Sequence, residues 1–272
     1  MKGDPDPGST RVDAIAVRGG ARETRPETLV VEEPLELRLD GEPIAVTMRT
    51  PGHDVELAAG FLVTEGIVSD FGLVNAIAHC EQTENAVEIR TEPGAEGVRP
   101  PAHRHFFASS SCGICGKATL EALRTLAAPV HGDPVRVDAA VLESLPARLR
   151  DAQPLFRATG ALHAAALFTA EGELLCARED VGRHNAVDKL VGWAALAGRL
   201  PLRGAILLAS GRLGFEIAQK ALVAGVPVLA AISGPSSLAV ELARENGMTL
   251  VAFLRGDGWN VYAGAERISS RV

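Results

Sequence analysis

The alternation of apolar and polar positions changes period along this chain, and each change predicts an element. Leu35, Leu37 and Leu39 alternate with charged residues, Asp40-Gly41 supplies a turn, and Ile44, Val46 and Met48 alternate again. That pattern predicts a β-hairpin. At Asp54 the period lengthens: Leu57, Ala58, Phe61 and Leu62 share one helical face, and Gly66 ends the helix. Residues 73–91 read as further strands around a turn at 83–85, and 92–111, rich in Gly, Pro, His and Ser, read as a connection running into Cys112. The run 118–127 reads as helix.

The second half alternates strand and helix. Strands are predicted at 161–169, 174–177, 205–209, 226–232 and 249–254, with helices at 185–197, 214–224 and 237–246; Gly225 and Gly247 follow the last two helices as caps. Strand, helix and strand joined by short links imply a parallel sheet with right-handed crossovers. The resulting organisation is a mobile tail over 1–28, within which Val12 to Val17 can pair as an edge strand, a β-rich lobe over 29–105, a cysteine loop with its following helix over 106–132, and an α/β domain over 133–272.

Composition sharpens this. Apolar residues make up 47% of 272 residues but aromatics only 4%, so the core is aliphatic, suited to β-branched strands under Ala-rich helices. A net charge of −7 argues against general nucleic-acid binding and leaves room for a local basic pocket around one anionic ligand. The polar start and the absence of a long apolar run predict a cytoplasmic protein with no membrane span. Four cysteines in such a chain do not imply a disulfide framework, and Cys80 and Cys176 read as small buried hydrophobes.

The candidate chemistry lies at Ser109-Ser110-Ser111-Cys112-Gly113-Ile114-Cys115-Gly116-Lys117, ahead of a predicted helix. Unpaired backbone N–H groups and the Lys117 cation favour a thiolate there. By spacing alone the pair fits half a zinc site, a redox dithiol or a persulfide carrier. His79-Cys80-Glu81 upstream echoes the H-x-E…P-C-x-x-C signature of zinc deaminases, but Ser111 replaces the proline and His79 falls in a predicted strand.

The surrounding text narrows the choice. Thr50-Pro51-Gly52-His53-Asp54, Glu56-Leu57-Ala58, Gly60-Phe61-Leu62 and Glu65-Gly66 precede the cysteine motif, and the eleven residues from Glu179 through Asp180-Val181-Gly182-Arg183-His184-Asn185-Ala186-Val187-Asp188 to Lys189 follow it. Together, over about residues 29–268, these resemble the formate dehydrogenase accessory sulfurtransferases of the FdhD family. Ala161 and Gly214 depart from the family's pattern in loops away from the cysteines. The resemblance implies an α/β fold with a cytidine-deaminase-like α/β/α core and a smaller N-terminal β-rich α+β lobe. It implies a sulfur carrier without zinc, taking persulfide sulfur from a cysteine desulfurase onto Cys112, with Cys115 tuning that thiol or releasing the sulfur. The implied acceptor is the bis-molybdopterin guanine dinucleotide cofactor of formate dehydrogenase, and a homodimer would offer one site to each of its two GDP-like tails.

The resemblance also sets the cofactor contact at the end of the last predicted strand, Phe253-Leu254-Arg255-Gly256-Asp257-Gly258. There Arg255 suits a phosphate, the glycines allow close approach, and Asp257 suits a guanine edge. Ser210-Gly211-Arg212 and the loop 233–237 are weaker phosphate candidates, and Arg183 and His184 are candidate pocket residues. Asp180, Asn185 and Asp188 read as caps and solvating groups, and His163 as a core histidine. A zinc-dependent deaminase-type hydrolase and a non-enzymatic chaperone for the molybdenum cofactor are the competing readings.

Overall fold

The computed structural model describes residues 7–81, 83, 85–99, 107–108, 129–255 and 258–269. Cys112, Cys115, Gly256, Asp257 and the predicted helix at 118–127 lie outside the described residues.

The N-terminal lobe is a five-stranded sheet with one covering helix. Strands β3 (Glu33–Leu39) and β4 (Glu42–Arg49) form the expected hairpin; Asp40 and Gly41 both take positive φ, the geometry that a two-residue turn between twisted strands requires. With β5 (Val74–His79), β6 (Ala86–Thr91) and β7 (Phe107–Ala108) the sheet order is β5-β6-β3-β4-β7. Helix α1 (Asp54–Thr64) lays Leu57, Ala58 and Leu62 onto Leu35, Leu37, Val87 and Ile89.

The C-terminal lobe is a three-layer α/β/α sandwich. Its sheet runs β10 (Leu174–Asp180), β9 (His163–Phe168), β11 (Ile206–Ala209), β12 (Val228–Ala231), β13 (Thr249–Arg255), β14 (Gly258–Ala263). The three middle strands β11, β12 and β13 are parallel, as predicted, while β9, β10 and β14 run antiparallel to their neighbours. Alternation sorts the core into two layers. Ala164, Ala166, Phe168, Ile206 and Leu208 face helix α2 (Ala139–Asp151) through Leu142, Leu145 and Leu149. Ala165, Leu167, Leu207 and Ala209 face α4 (Arg183–Leu196), α5 (Phe215–Val223) and α6 (Ser237–Glu245). A short helix α3 (Pro154–Thr159), which sequence periodicity did not reveal, is held by Glu179, whose carboxylate accepts from Leu155 N (3.0 Å) and Phe156 N (2.8 Å).

Two expectations need correction. Residues 1–28 were expected to form a tail with at most an edge strand at Val12 to Val17, yet β1 (Ser9–Arg18) and β2 (Ala21–Val30) pair over their full length around Gly19-Gly20, both at positive φ. The charges that obscured the alternation are tolerated because most of this ribbon faces solvent. The predicted last strand is not the last: β13 turns back into β14, so Arg255 and Gly258 are paired across a hairpin. β15 (Ile268–Ser269) then pairs in parallel with β8 (Val137–Asp138), closing the lobe.

The lobes are joined where α1 crosses α4. A Cβ on Gly60 would lie 1.8 Å from Asp188 O, and one on Gly192 would lie 1.7 Å from Glu56 O, so glycine is required at both positions.

Candidate functional site

The block 179–189 spans the end of β10, a turn and the start of α4. Contrary to the expectation that its polar residues cap and solvate, most of them are buried and grip the other lobe. Asp180 is fully buried; its carboxylate takes an ion pair from Lys189 Nζ at 2.7 Å and hydrogen bonds from Thr50 N (3.1 Å), Gly182 N (2.8 Å) and Asn185 Nδ2 (2.9 Å). Lys189 Nζ also donates to Thr50 O at 2.8 Å. Asn185 donates to Met48 O (2.8 Å) and accepts from Thr47 Oγ1 (3.3 Å). A second buried knot joins α1, α4 and α5: Lys220 Nζ sits 2.9 Å from Asp188 and Glu65 and donates to Thr64 Oγ1 at 2.8 Å. Burial opposes the Lys220 charge, but the two carboxylates outweigh it and raise its pKa, so the ammonium stays protonated.

These knots leave Arg183 and His184 at the start of α4, facing the carboxyl ends of the parallel strands, where open α/β sheets bind ligands. Because β9 is antiparallel, its first residue His163 arrives at the same edge. His163 is therefore a rim residue and not the core histidine expected; it is half-buried beside Gly211, whose added Cβ would sit 3.2 Å from His163 Nδ1. Burial, and then the positive neighbours Arg183 and His184, push the His163 pKa down, which keeps it neutral at pH 7. His184 Nε2 lies 2.6 Å from Glu216 Oε2 at the start of α5. Burial alone would raise the Glu216 pKa; the His184 hydrogen bond and the charges of His184 and Lys220 reverse this and hold it below the usual value.

The strand-end loops are stitched to one another. Ser210 N donates to Ala164 O and Ser210 Oγ accepts from Ala164 N, both at 2.9 Å. Leu213 N donates to Gly234 O (3.1 Å), Ser236 N to Leu213 O (2.8 Å) and Phe253 N to Ser233 O (3.1 Å). The candidates 210–212, 233–237 and Phe253 thus share one edge. Ser236 already caps α6 by accepting from Ala239 N at 3.3 Å. The Phe253 ring lies directly on Gly234, where a Cβ would fall 2.7 Å from Cζ, and the Arg255 guanidinium is 5.8 Å from that ring. Phe253 and Arg255 are exposed, whereas Leu254 is buried in the core beneath α2 and has no side-chain surface to offer a ligand.

The remaining candidates lie apart. His79 ends β5 on an exposed face of the other lobe, with Glu81 also exposed and Cys80 only partly covered, so Cys80 is not the buried thiol expected. Cys176 is buried, and that burial pushes its thiol up to about 11, an inert group. Among the described residues no three His, Cys, Asp or Glu side chains gather as a metal would need, and no helix is long and apolar enough to cross a membrane.

Fold and site define a two-lobed α/β protein whose glycine- and serine-rich strand ends meet a basic turn locked across the lobe junction. The model of the FdhD/NarQ family matches residues 30–269, and the chain belongs to that family. It is 56% identical over 271 residues to a sulfur carrier protein FdhD of Streptomyces avermitilis, covering 96% of each chain. It is 55% identical over 253 residues to the protein of that name from Mycolicibacterium paratuberculosis, covering 90% of this chain and 93% of the relative. A solved structure from Desulfotalea psychrophila, described as a formate dehydrogenase accessory protein, superposes with a TM-score of 0.78 at 27% identity, covering 97% of this chain and all of that one.

Proposed function

We propose that this chain is a cytoplasmic sulfur carrier that activates formate dehydrogenase. The observation that carries the reading is similarity to sulfur carrier proteins over nearly the whole length, at up to 56% identity, in a span that contains Cys112 and Cys115.

In this reading the Cys112 thiolate attacks the outer sulfur of a cysteine desulfurase persulfide. The donor's S–S bond breaks, its thiolate leaves, and Cys112 carries the sulfur. Attack by the Cys115 thiolate on the inner sulfur then forms a 112–115 disulfide and releases the outer sulfur, with its electron pair, as sulfide for the metal of the bis-molybdopterin guanine dinucleotide. Phe253 and Arg255 offer a stacking face and a cation to one GDP-like tail, and the family resemblance adds Gly256, Asp257 and Gly258 as further contacts. A homodimer supplies a second such place. A deaminase-like ancestry of the core accords with an antiparallel β9 set between β10 and the parallel strands.

The test is complementation. Cys112→Ala should leave formate dehydrogenase loaded with metal yet inactive; an active client in that background would refute sulfur carriage by this thiol.

A further inference from the structure

Strand register draws one line across the ligand-facing edge of the C-terminal sheet. Ala165 pairs with Ala209 and Ala209 with Ala231, so two residues further on His163, Gly211 and Ser233 stand level. Phe253 N, bonded to Ser233 O at 3.1 Å, ends the line. From β9 to β13 there are three strand spacings of about 4.8 Å, which sets His163 about 14 Å from the Phe253 corner.

Three arginines mark this line. Arg183 opens α4 over Gly211, where an added Cβ would lie 3.8 Å from Arg183 Cβ. Arg212 follows that glycine and is exposed, and Arg255 is exposed beside Phe253. Among the described residues none of the three has a carboxylate partner, because Glu216 pairs with His184 and Asp180 with Lys189. Arg183 Nε is in addition shielded from solvent with no hydrogen-bond partner. A buried donor left unpaired is costly, and an accepting ligand removes that cost. No side chain caps the first turn of α4 or α5, which begin after Gly182 and Gly214. Their free N–H groups add positive character to this end.

We propose that Arg183 and Arg212, with His163 and Gly211, form a second anion subsite, which takes a phosphate group about 14 Å from the Phe253 and Arg255 corner. The bare Gly211 keeps open the space between the imidazole and Arg183, since a Cβ there would come within 3.2 Å of His163 Nδ1. One elongated ligand with two separated anionic groups would then lie across the ends of β13, β12, β11 and β9. The subsite rests on the nucleotide reading above for the ligand that joins both places, but not for its own binding of phosphate.

Histidine-resolved NMR titration of the full chain with inorganic phosphate, in saturating GDP, tests it; His163→Gln identifies the resonance. Burial, and then the charges of Arg183 and His184, hold the His163 pKa low, with Asp180 opposing. Phosphate beside Arg183 offsets those charges, so the expected result is a saturable shift and a raised His163 pKa. Arg183→Gln should weaken phosphate binding about tenfold and Arg212→Gln about threefold, whereas Arg255→Ala should leave it unaltered. Arg212 is exposed, so its variant carries the test if Arg183→Gln does not fold. Displacement of phosphate by GDP, or an equal loss in Arg255→Ala, would merge the two places into one and overturn the subsite. Phosphate that leaves His163 unmoved overturns it too. A chain that binds phosphate at His163 but binds no GDP keeps the subsite and removes the nucleotide contact.

Discussion

Asp180 and Lys189, nine positions apart in one short block, form a 2.7 Å ion pair with almost no solvent exposure, and both also bond the backbone of Thr50 in the other lobe. A buried pair of this kind contributes little when intact but leaves an uncompensated charge when halved. Lys189→Met should therefore destabilise the protein by about 3–5 kcal/mol, read as a lower urea midpoint. The double variant Asp180→Leu with Lys189→Met should recover part of that loss. Additive losses would show that the two residues act independently.

Gly60 and Gly192 let α1 and α4 touch through their backbones. An alanine at either position overlaps a carbonyl group that cannot swing aside, so the helices must separate. Each substitution should cost about 1–3 kcal/mol or more, seen as a melting temperature lowered by several degrees. Gly258→Ala, which meets open space, serves as the control.

The Glu56 carboxylate anchors Arg178 at 2.6 Å and His53 at 3.3 Å. Burial would raise its pKa, but hydrogen bonds from Arg178 and His53, with their charges, prevail and bring it from an ordinary 4.5 to about 2. A depressed acid stabilises the folded state above its unfolded pKa, and that stability drains as pH falls from 4.5 toward 2. The melting temperature should drop across this window in the wild type and more shallowly in Glu56→Gln. Parallel curves would contradict the assignment.

Much of this architecture was legible in the residues. The Asp40-Gly41 hairpin, α1 and the three parallel strands carried strong period and turn signals, and local chemistry decided them. Of the β1–β2 ribbon only Val12 to Val17 was legible as an edge strand, because both strands are largely exposed and burial wrote little alternation into them. The strand β14 was hidden for a related reason: as an edge strand its exposed positions, Gly258, Asn260 and Val261, mix polar and apolar residues. The site was half legible. The loops at 210 and 233 were singled out by their place near strand ends and Phe253 by the family resemblance, but the inward turn of Leu254 depends on packing under α2. The role of Asp180, Asn185, Asp188 and Lys189 as a lobe lock depends on Thr47, Met48, Thr50 and Thr64, more than a hundred positions away, which local pattern cannot reveal.

Phe253 and Arg255 share an exposed corner beside Gly234. Replacing either by alanine should weaken GDP binding about five- to tenfold, close to 1 kcal/mol, with melting unchanged. Calorimetric titration with GDP measures this, and unaltered affinity in both variants would move the nucleotide contact elsewhere.

The central claim is that Cys112 holds transferable sulfur. Intact-protein and peptide mass spectrometry after incubation with a cysteine desulfurase and cysteine addresses it directly. The account predicts a reducible adduct of one sulfur atom on the Cys112 peptide, absent from Cys112→Ala and persisting in Cys115→Ser. A chain that gains no sulfur, or gains it equally without Cys112, would contradict it.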